Sequence, residues 1–361
     1  MVVDSPGTGG RLRVVVTGAT GNVGTALVEV LADDPRVGAI LGLARREPGP
    51  GPAPAGTTYA TADVASDPLD GLLAGADAVV HLAWLFQPTH DPLATWRANA
   101  LGSMRVFEAA AAAGVGTIVY SSSVAAYSPG VGHTVDESWP THSLPTSGYG
   151  REKAYVERYL DTFEARHPDV RVVRFRPALM FQRASGTQQR RLFAGPLLPR
   201  RLLRRGRLPL LPVPSGLRFQ ALHTGDAARA FHAALVGTAR GAYNLAAEPV
   251  IDAAALGEVV RARPVPIPRP LARAAVATGW HLRLVPADPR LLDLVLSLPL
   301  LDTTRARTEL GWQPARSGTD ALREALDAMA GGTGGRTPPL SPDSPAARAE
   351  ELATGVGRSG A

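Results

Sequence analysis

Thr17-Gly-Ala-Thr-Gly-Asn-Val-Gly24 follows an apolar run, Leu12–Val16, and opens a segment of helical spacing, Thr25–Leu31. Glycines at 18, 21 and 24 allow a tight turn, close approach of a pyrophosphate, and packing of the helix on the strand. The helix start then offers unpaired N–H groups and a partial positive charge to phosphate. Gly18, Thr20, Gly21, Asn22, Val23 and Gly24 are therefore the expected phosphate-side contacts of a bound dinucleotide.

Outward from this loop, short apolar runs alternate with helical patterns. The expected strands are Leu12–Val16, Ala39–Ala44, Ala78–Leu82, Thr117–Tyr120, Arg171–Phe175 and Ala242–Leu245. The expected helices are Thr25–Leu31, Leu93–Ala113, Gly150–Arg166 and Asp226–Leu235. That rhythm predicts an α/β fold, a Rossmann-type doubly wound parallel sheet. It breaks at 177–216, which is rich in Pro, Arg and Leu, and 251–330 is mostly helical in pattern. The expected organisation is a dinucleotide-binding domain from 11–176 and 217–250, with a smaller, mostly helical substrate domain from 177–216 and 251–330. Residues 1–10 and 331–361, rich in Gly, Pro, Ser and Ala, are expected to be flexible or disordered tails.

Composition removes several function classes. The 361-residue chain has no cysteine, so disulfides, thiolate metal sites and cysteine nucleophiles are excluded, and no metal site is expected. No apolar stretch reaches the roughly 18 residues of a membrane span, and the first residues lack a signal-peptide pattern, so a cytoplasmic location is expected. The net charge of +6 comes from scattered arginines without a nucleic-acid-binding signature, and no nucleic-acid partner is expected.

Among 38 basic residues, Lys153 is the only lysine. It stands four residues after Tyr149, so the two side chains share a helix face. A neighbouring ammonium favours the phenolate. Bringing a phenol from a pKa of about 10 to about 7 takes roughly 4 kcal/mol of preferential stabilisation. Arginine's planar fork substitutes poorly for a compact ammonium in that task. Tyr120-Ser-Ser-Ser-Val124 follows the fifth strand, placing hydroxyls at the carboxyl edge of the sheet, where ligands bind in such folds.

Three other places bear on the cofactor. Asp63 and Val64 fall where the third strand would end, and the carboxylate there could accept an adenine amino group. Leu82 and Ala83 end the next strand, with Ala83 small enough for close passage of a cofactor. Leu41-Gly-Leu-Ala-Arg-Arg46 puts Ala44 where an NAD site usually carries an acid, and Arg45 and Arg46 follow. Two guanidinium groups can hold a 2′-phosphate, so NADP(H) is favoured over NAD(H).

Together, Thr17–Gly24, His81-Leu-Ala-Trp84, Asn99, Ser121–Ser123, Tyr149-Gly-Arg-Glu-Lys153 and Arg176-Pro177 resemble the extended short-chain dehydrogenase/reductase superfamily, which includes NAD(P)-dependent epimerases and dehydratases. Leu222–Arg229, Tyr243-Asn244 and Leu310–Pro314 continue the likeness, which spans about residues 11–315. The resemblance implies Ser123 as catalytic serine, Tyr149 as acid/base, Lys153 as its partner, Asn99 as a supporting residue and Pro177 as a cofactor contact. It also implies a homodimer through 93–113 and 149–166. Ser123-Val124-Ala125 lacks the acid pair of the sugar-nucleotide dehydratases, which disfavours dehydration. Arg151 and Glu152 replace the usual pair before the lysine and are expected to alter only the helix surface.

The expected activity is hydride transfer between nicotinamide and a secondary alcohol or ketone. A nucleotide-sugar epimerase using transient oxidation and a non-catalytic dinucleotide sensor are the alternatives. The arginines of 183–218, among them Arg190, Arg191, Arg200, Arg201, Arg204, Arg205 and Arg207, fit three roles: holding a substrate diphosphate, flanking an apolar pocket, or resting on an anionic surface.

Overall fold

The computed structural model describes residues 10–87, 89–354 and 356. Seven strands form one sheet: β1 (Leu12–Thr17), β2 (Val37–Ala44), β3 (Thr57–Thr61), β4 (Ala78–His81), β5 (Thr117–Ser121), β6 (Arg171–Pro177) and β7 (Gly241–Leu245). Their order is β7-β6-β5-β4-β1-β2-β3, and every pair is parallel. This is the doubly wound arrangement, and the order reverses between β1 and β4, where such folds bind ligands.

Valines dominate the central strands because both faces of a parallel sheet are covered. Val14 and Val16 face one core with Leu27 and Leu31 of α1 (Asn22–Ala32). Val15 faces the other, with Val106 and Phe107 of α2 and Val156, Leu160 and Phe163 of α3 (Gly148–Arg166). Here α2 is the helical run Pro92–Trp96, a π turn Arg97–Leu101, and Gly102–Ala112. The helix α4 (Thr224–Val236) packs beside α1 on the first face, through Ala227, Phe231 and Ala234.

Outside the seven-stranded sheet and its flanking helices lie α5 (Arg269–His281), α6 (Pro289–Val295) and α7 (Gly318–Gly331), together with short strands. Leu179–Phe181, Phe219–His223 and Ala247–Ile251 form a three-stranded sheet, and Leu210–Pro214 pairs with Arg263–Ile267. No helix among the described residues is long and apolar enough to cross a membrane.

One expectation is corrected here. Residues 331–354 are not a structureless tail: they run back across the sheet edge and end in α8 (Pro345–Thr354). Arg336 accepts from the Gly49 N–H (3.2 Å) and donates to the Pro50 carbonyl (3.0 Å). Thr337 then bonds the Thr20 carbonyl at 2.7 Å, and Leu340 is buried. The composition reading missed this because polar anchors on distant residues, not apolar periodicity, hold the segment. The expected tails at 1–9 and 357–361 lie outside the described residues.

Candidate active site

The glycine loop is built by close contact. Gly18 has φ of 71°, and a Cβ there would lie 2.7 Å from the Ala83 nitrogen. At Gly24 a Cβ would come within 2.3 Å of the Gly18 carbonyl oxygen. The loop is therefore pressed against the end of β4 and the start of α1 at once. Gly21 caps α1 without any side-chain bond to the first-turn N–H groups. Those groups stay available to a phosphate, and the cradle fits a dinucleotide.

Beneath the loop, the Thr17 hydroxyl bonds His81 Nδ1 at 2.7 Å, and His81 Nε2 bonds the Ser103 hydroxyl at 2.8 Å. Burial pushes the His81 pKa down to about 3, so the ring is neutral and serves as a fixed strut between β1, β4 and α2.

On the other side, Ser123 starts a 3-10 turn (Val124–Ala126) after β5, its oxygen accepting from the Ala125 N–H at 3.1 Å. Ser147 caps α3 through the Gly150 N–H. A Cβ on Gly150 would lie 3.0 Å from the Ala125 carbonyl oxygen, so α3 can seat on this turn only through glycine. That seating sets the Tyr149 phenol and the Ser123 hydroxyl on the wall of one cavity. Burial raises the Tyr149 pKa above the ordinary phenol value, and the nearby Ser123 hydroxyl opposes that rise.

One turn on, Lys153 is buried. Its Nζ donates to the Ser121 carbonyl (2.7 Å), lies 3.4 Å from the Tyr120 hydroxyl, and stands 3.3 Å above the Trp84 ring centre. Burial drives its pKa well below the ordinary lysine value, with Glu152 and Glu157 opposing.

Glu152 does not decorate the helix surface as its position in the motif implies; it is buried. Its carboxylate accepts from the Thr95 hydroxyl and from Asn99 Nδ2, each at 2.7 Å. Asn99 also closes a two-way bond with Leu85, accepting from its N–H (2.6 Å) and donating to its carbonyl (2.8 Å). The π turn of α2 places Asn99 at this point; such turns often mark functional sites. Asn99 thus braces the Leu85 loop and α3. Glu152 was missed because the packing of α2 on α3 alone reveals its partners. Arg151, beside it, is exposed as expected.

The cavities join these parts. A cavity of about 780 Å³ is lined by Gly18, Gly21, Asn22, Val23 and Gly24 at one end and by Ser123, Tyr149 and Lys153 at the other. Arg45, Arg46, Leu82 and Pro177 also line it. A second, about 160 Å³, is bordered by Thr20, Arg45, Arg46, Asp63, Val64, Ala83 and Asn99. Every site residue expected from sequence therefore lines one of two cavities that share the glycine loop. Val64 is also core, packed with Leu43 and Leu73.

The C-terminal segment forms part of the rim. Arg190 is buried and donates to Glu351 (2.6 Å) and Asp343 (3.3 Å), and Arg191 donates to the Pro339 carbonyl. Pro338 and Ser341 face the larger cavity.

A family model described as the NAD dependent epimerase/dehydratase family matches residues 14–246. The chain belongs to this family. An uncharacterized protein of Mycobacterium tuberculosis is 29% identical over 336 residues, covering 90% of this family member and 31% of that relative. Another from the same organism is 27% identical, covering 68% and 64%. The chain spans about a third of the length of the first of these relatives. MoeE5, solved with UDP-glucuronic acid and NAD, superposes with a TM-score of 0.64 at 24% identity, covering 88% of this chain and 98% of its own. UDP-N-acetylglucosamine 4-epimerase from Methanobrevibacter ruminantium M1, in complex with UDP-N-acetylmuramic acid, gives 0.66 at 20% identity, covering 88% and 98%. At these identities the structural likeness establishes the fold.

Proposed function

We propose that this member of the epimerase/dehydratase family is an NAD(P)-dependent oxidoreductase acting on a secondary alcohol or ketone. The observation that carries the reading is one cavity walled by the glycine cradle at one end and by Ser123, Tyr149 and Lys153 at the other. Bound nicotinamide would supply the hydride acceptor or donor. The Tyr149 hydroxyl moves the proton at the substrate oxygen, and the Ser123 hydroxyl orients that oxygen. Lys153 is tied to the carboxyl end of β5 through the Ser121 carbonyl, which sets its ammonium one turn from the phenol.

The deciding measurement is nicotinamide fluorescence titration followed by hydride exchange with a ketone panel. Failure to bind either nicotinamide form would sink the reading. NADPH is expected to bind at least about tenfold more tightly than NADH, because charge-assisted bonds contribute roughly 1.5–3 kcal/mol each. Arg45 and Arg46 border both cavities beside Ala44 and Asp63, the region where an adenosine 2′-phosphate would lie. Arg46→Ala should erase most of that preference; an unchanged NADPH/NADH ratio would remove this arginine from the phosphate site.

A second reading, transient oxidation within a nucleotide-sugar epimerase, is favoured by the names of the structural neighbours. It predicts epimerised UDP-sugar with no net change in nicotinamide.

The C-terminal segment has its own expected effect. Ending the chain after Gly331 removes the Thr337 bond to the glycine loop and part of the cavity rim. Nicotinamide should then dissociate about tenfold faster, as the loss of roughly 1.4 kcal/mol of rim contacts implies. Stopped-flow displacement checks this, and an unchanged rate would make the segment irrelevant to retention.

A further inference from the structure

We infer that the substrate is an uncharged, mainly hydrocarbon ketone or secondary alcohol, not a nucleotide diphosphate sugar. The inference rests on the oxidoreductase reading above and names its substrate class. Three observations carry it.

The first is the wall around Tyr149. The Phe86 ring centre lies 5.2 Å from that of Tyr149, and Phe193 stands edge-on to Phe86 at 5.3 Å. Leu291, Leu292 and Val295 of α6 line the same cavity. A surface of this kind stabilises hydrocarbon by about 0.8 kcal/mol per buried methylene.

The second is where the cations are. A diphosphate placed in this cavity needs arginine forks to offset the loss of water around its charges, a cost of several kcal/mol per ion. Of the arginines in 183–218, Arg191 alone lines the cavity, and its guanidinium is bonded to the Pro339 carbonyl. Arg190 is spent on Glu351 and Asp343, and Arg205 on Asp327. Arg45 and Arg46 stand at the glycine-loop end, where the cofactor phosphates go. The rim also carries Glu350 and Glu351, and Glu351 is the carboxylate that takes up Arg190. Two polar groups beside the apolar wall are also committed: Gln87 Nε2 donates to the Leu192 and Pro286 carbonyls, and Asp288 caps α6.

The third is size. At about 780 Å³ the cavity falls within the roughly 300–1,000 Å³ of a pocket for one drug-sized ligand. The dinucleotide takes the glycine-loop end, and the apolar remainder beside Tyr149 suits a compact ring system.

The test compares decalone, phenylcyclohexanone and a steroid ketone with UDP-glucose and UDP-glucuronic acid, on the full chain with NADPH and with NADP plus the matching alcohols. At least one apolar ketone is expected to show kcat/KM about a hundredfold above either UDP-sugar, as a few well-buried methylenes imply. Phe193→Arg, at a partly exposed position, should raise the ketone KM about tenfold while leaving NADPH affinity unchanged. Phe193→Leu should restore it. Turnover or micromolar binding of a UDP-sugar with none of the ketones overturns the proposal and leaves the oxidoreductase reading intact. So does binding of NADPH with no binding of any ketone to the Tyr149→Phe holoprotein. Failure to bind nicotinamide at all brings down both readings together.

Discussion

Tyr149→Phe is expected to lower kcat about a thousandfold while nicotinamide affinity stays within about threefold, matching the loss of one positioned acid/base. The substitution removes a single oxygen. The phenyl ring keeps its contacts with Phe86 and with Trp84, whose ring centre is 6.0 Å away, so the cavity wall is unchanged. What disappears is the hydroxyl that shares the cavity wall with Ser123. A fall in affinity as large as the fall in turnover would mean that Tyr149 holds the cofactor instead of moving a proton.

The pH profile separates the two directions of reaction. Alcohol oxidation needs the tyrosine as base, so its rate should rise with pH through an apparent pKa; ketone reduction needs the acid, so its rate should fall. Burial raises the Tyr149 pKa, which places both limbs on the alkaline side in the absence of an added positive charge. Lys153 supplies that charge only while protonated, and its own burial works against it. In the phenylalanine variant the residual rate should lose this dependence. A residual rate that still titrates would assign the proton to another group.

The layers of the fold were legible because they rest on local periodicity. The valine runs, the glycine spacing and the Tyr149–Lys153 step each act within a few residues, and the observed strands differ from the expected ones by one or two positions, at one end only. The edge strand β3 shows the opposite case: Thr57–Thr61 carries no apolar run, and one of its five residues is buried. Glu152 was misjudged for another reason. Its partners Asn99 and Thr95 are more than fifty residues earlier, and the π turn that aims Asn99 has no sequence signature here. Arg190 illustrates the same limit. Its acids lie 153 and 161 residues later, in a segment whose composition argues against any order. Pairings between distant charged residues leave no periodic trace, and these pairings decide the shape of the cavity rim.

Motif residues also divide into those that line the cavity and those that hold its frame. Arg176 and Asn244 are of the second kind. Arg176 donates to both Glu157 oxygens (2.9 and 3.0 Å) and to the Tyr127 hydroxyl (3.0 Å), while Tyr127 donates to Asn244 Oδ1 (2.7 Å). Glu157 also takes Arg174 at 3.3 Å, and its side chain is fully buried. This network ties α3, one turn past Lys153, to β6 just before Pro177.

Glu157→Gln should therefore destabilise the protein by about 3–5 kcal/mol at neutral pH, the usual consequence of leaving a buried cation, here Arg176, without its carboxylate. Burial alone would push the Glu157 carboxyl up, but Arg176 and then Arg174 outweigh it and hold the pKa at about 2. A carboxyl depressed on folding contributes stability above its unfolded pKa of about 4.3, and the contribution disappears as pH falls toward 2. The gap in urea midpoint between wild type and variant is thus expected to be full at pH 7 and to shrink below about pH 4. A gap that stays constant down to about pH 3 would mean that the carboxylate charge does not carry the effect. Where the variant is still folded, NADPH should bind it within about threefold of wild type, since Glu157 touches neither cavity. A larger loss would show that the orientation of α3, and with it the spacing of Tyr149 and Lys153, depends on this buried pair.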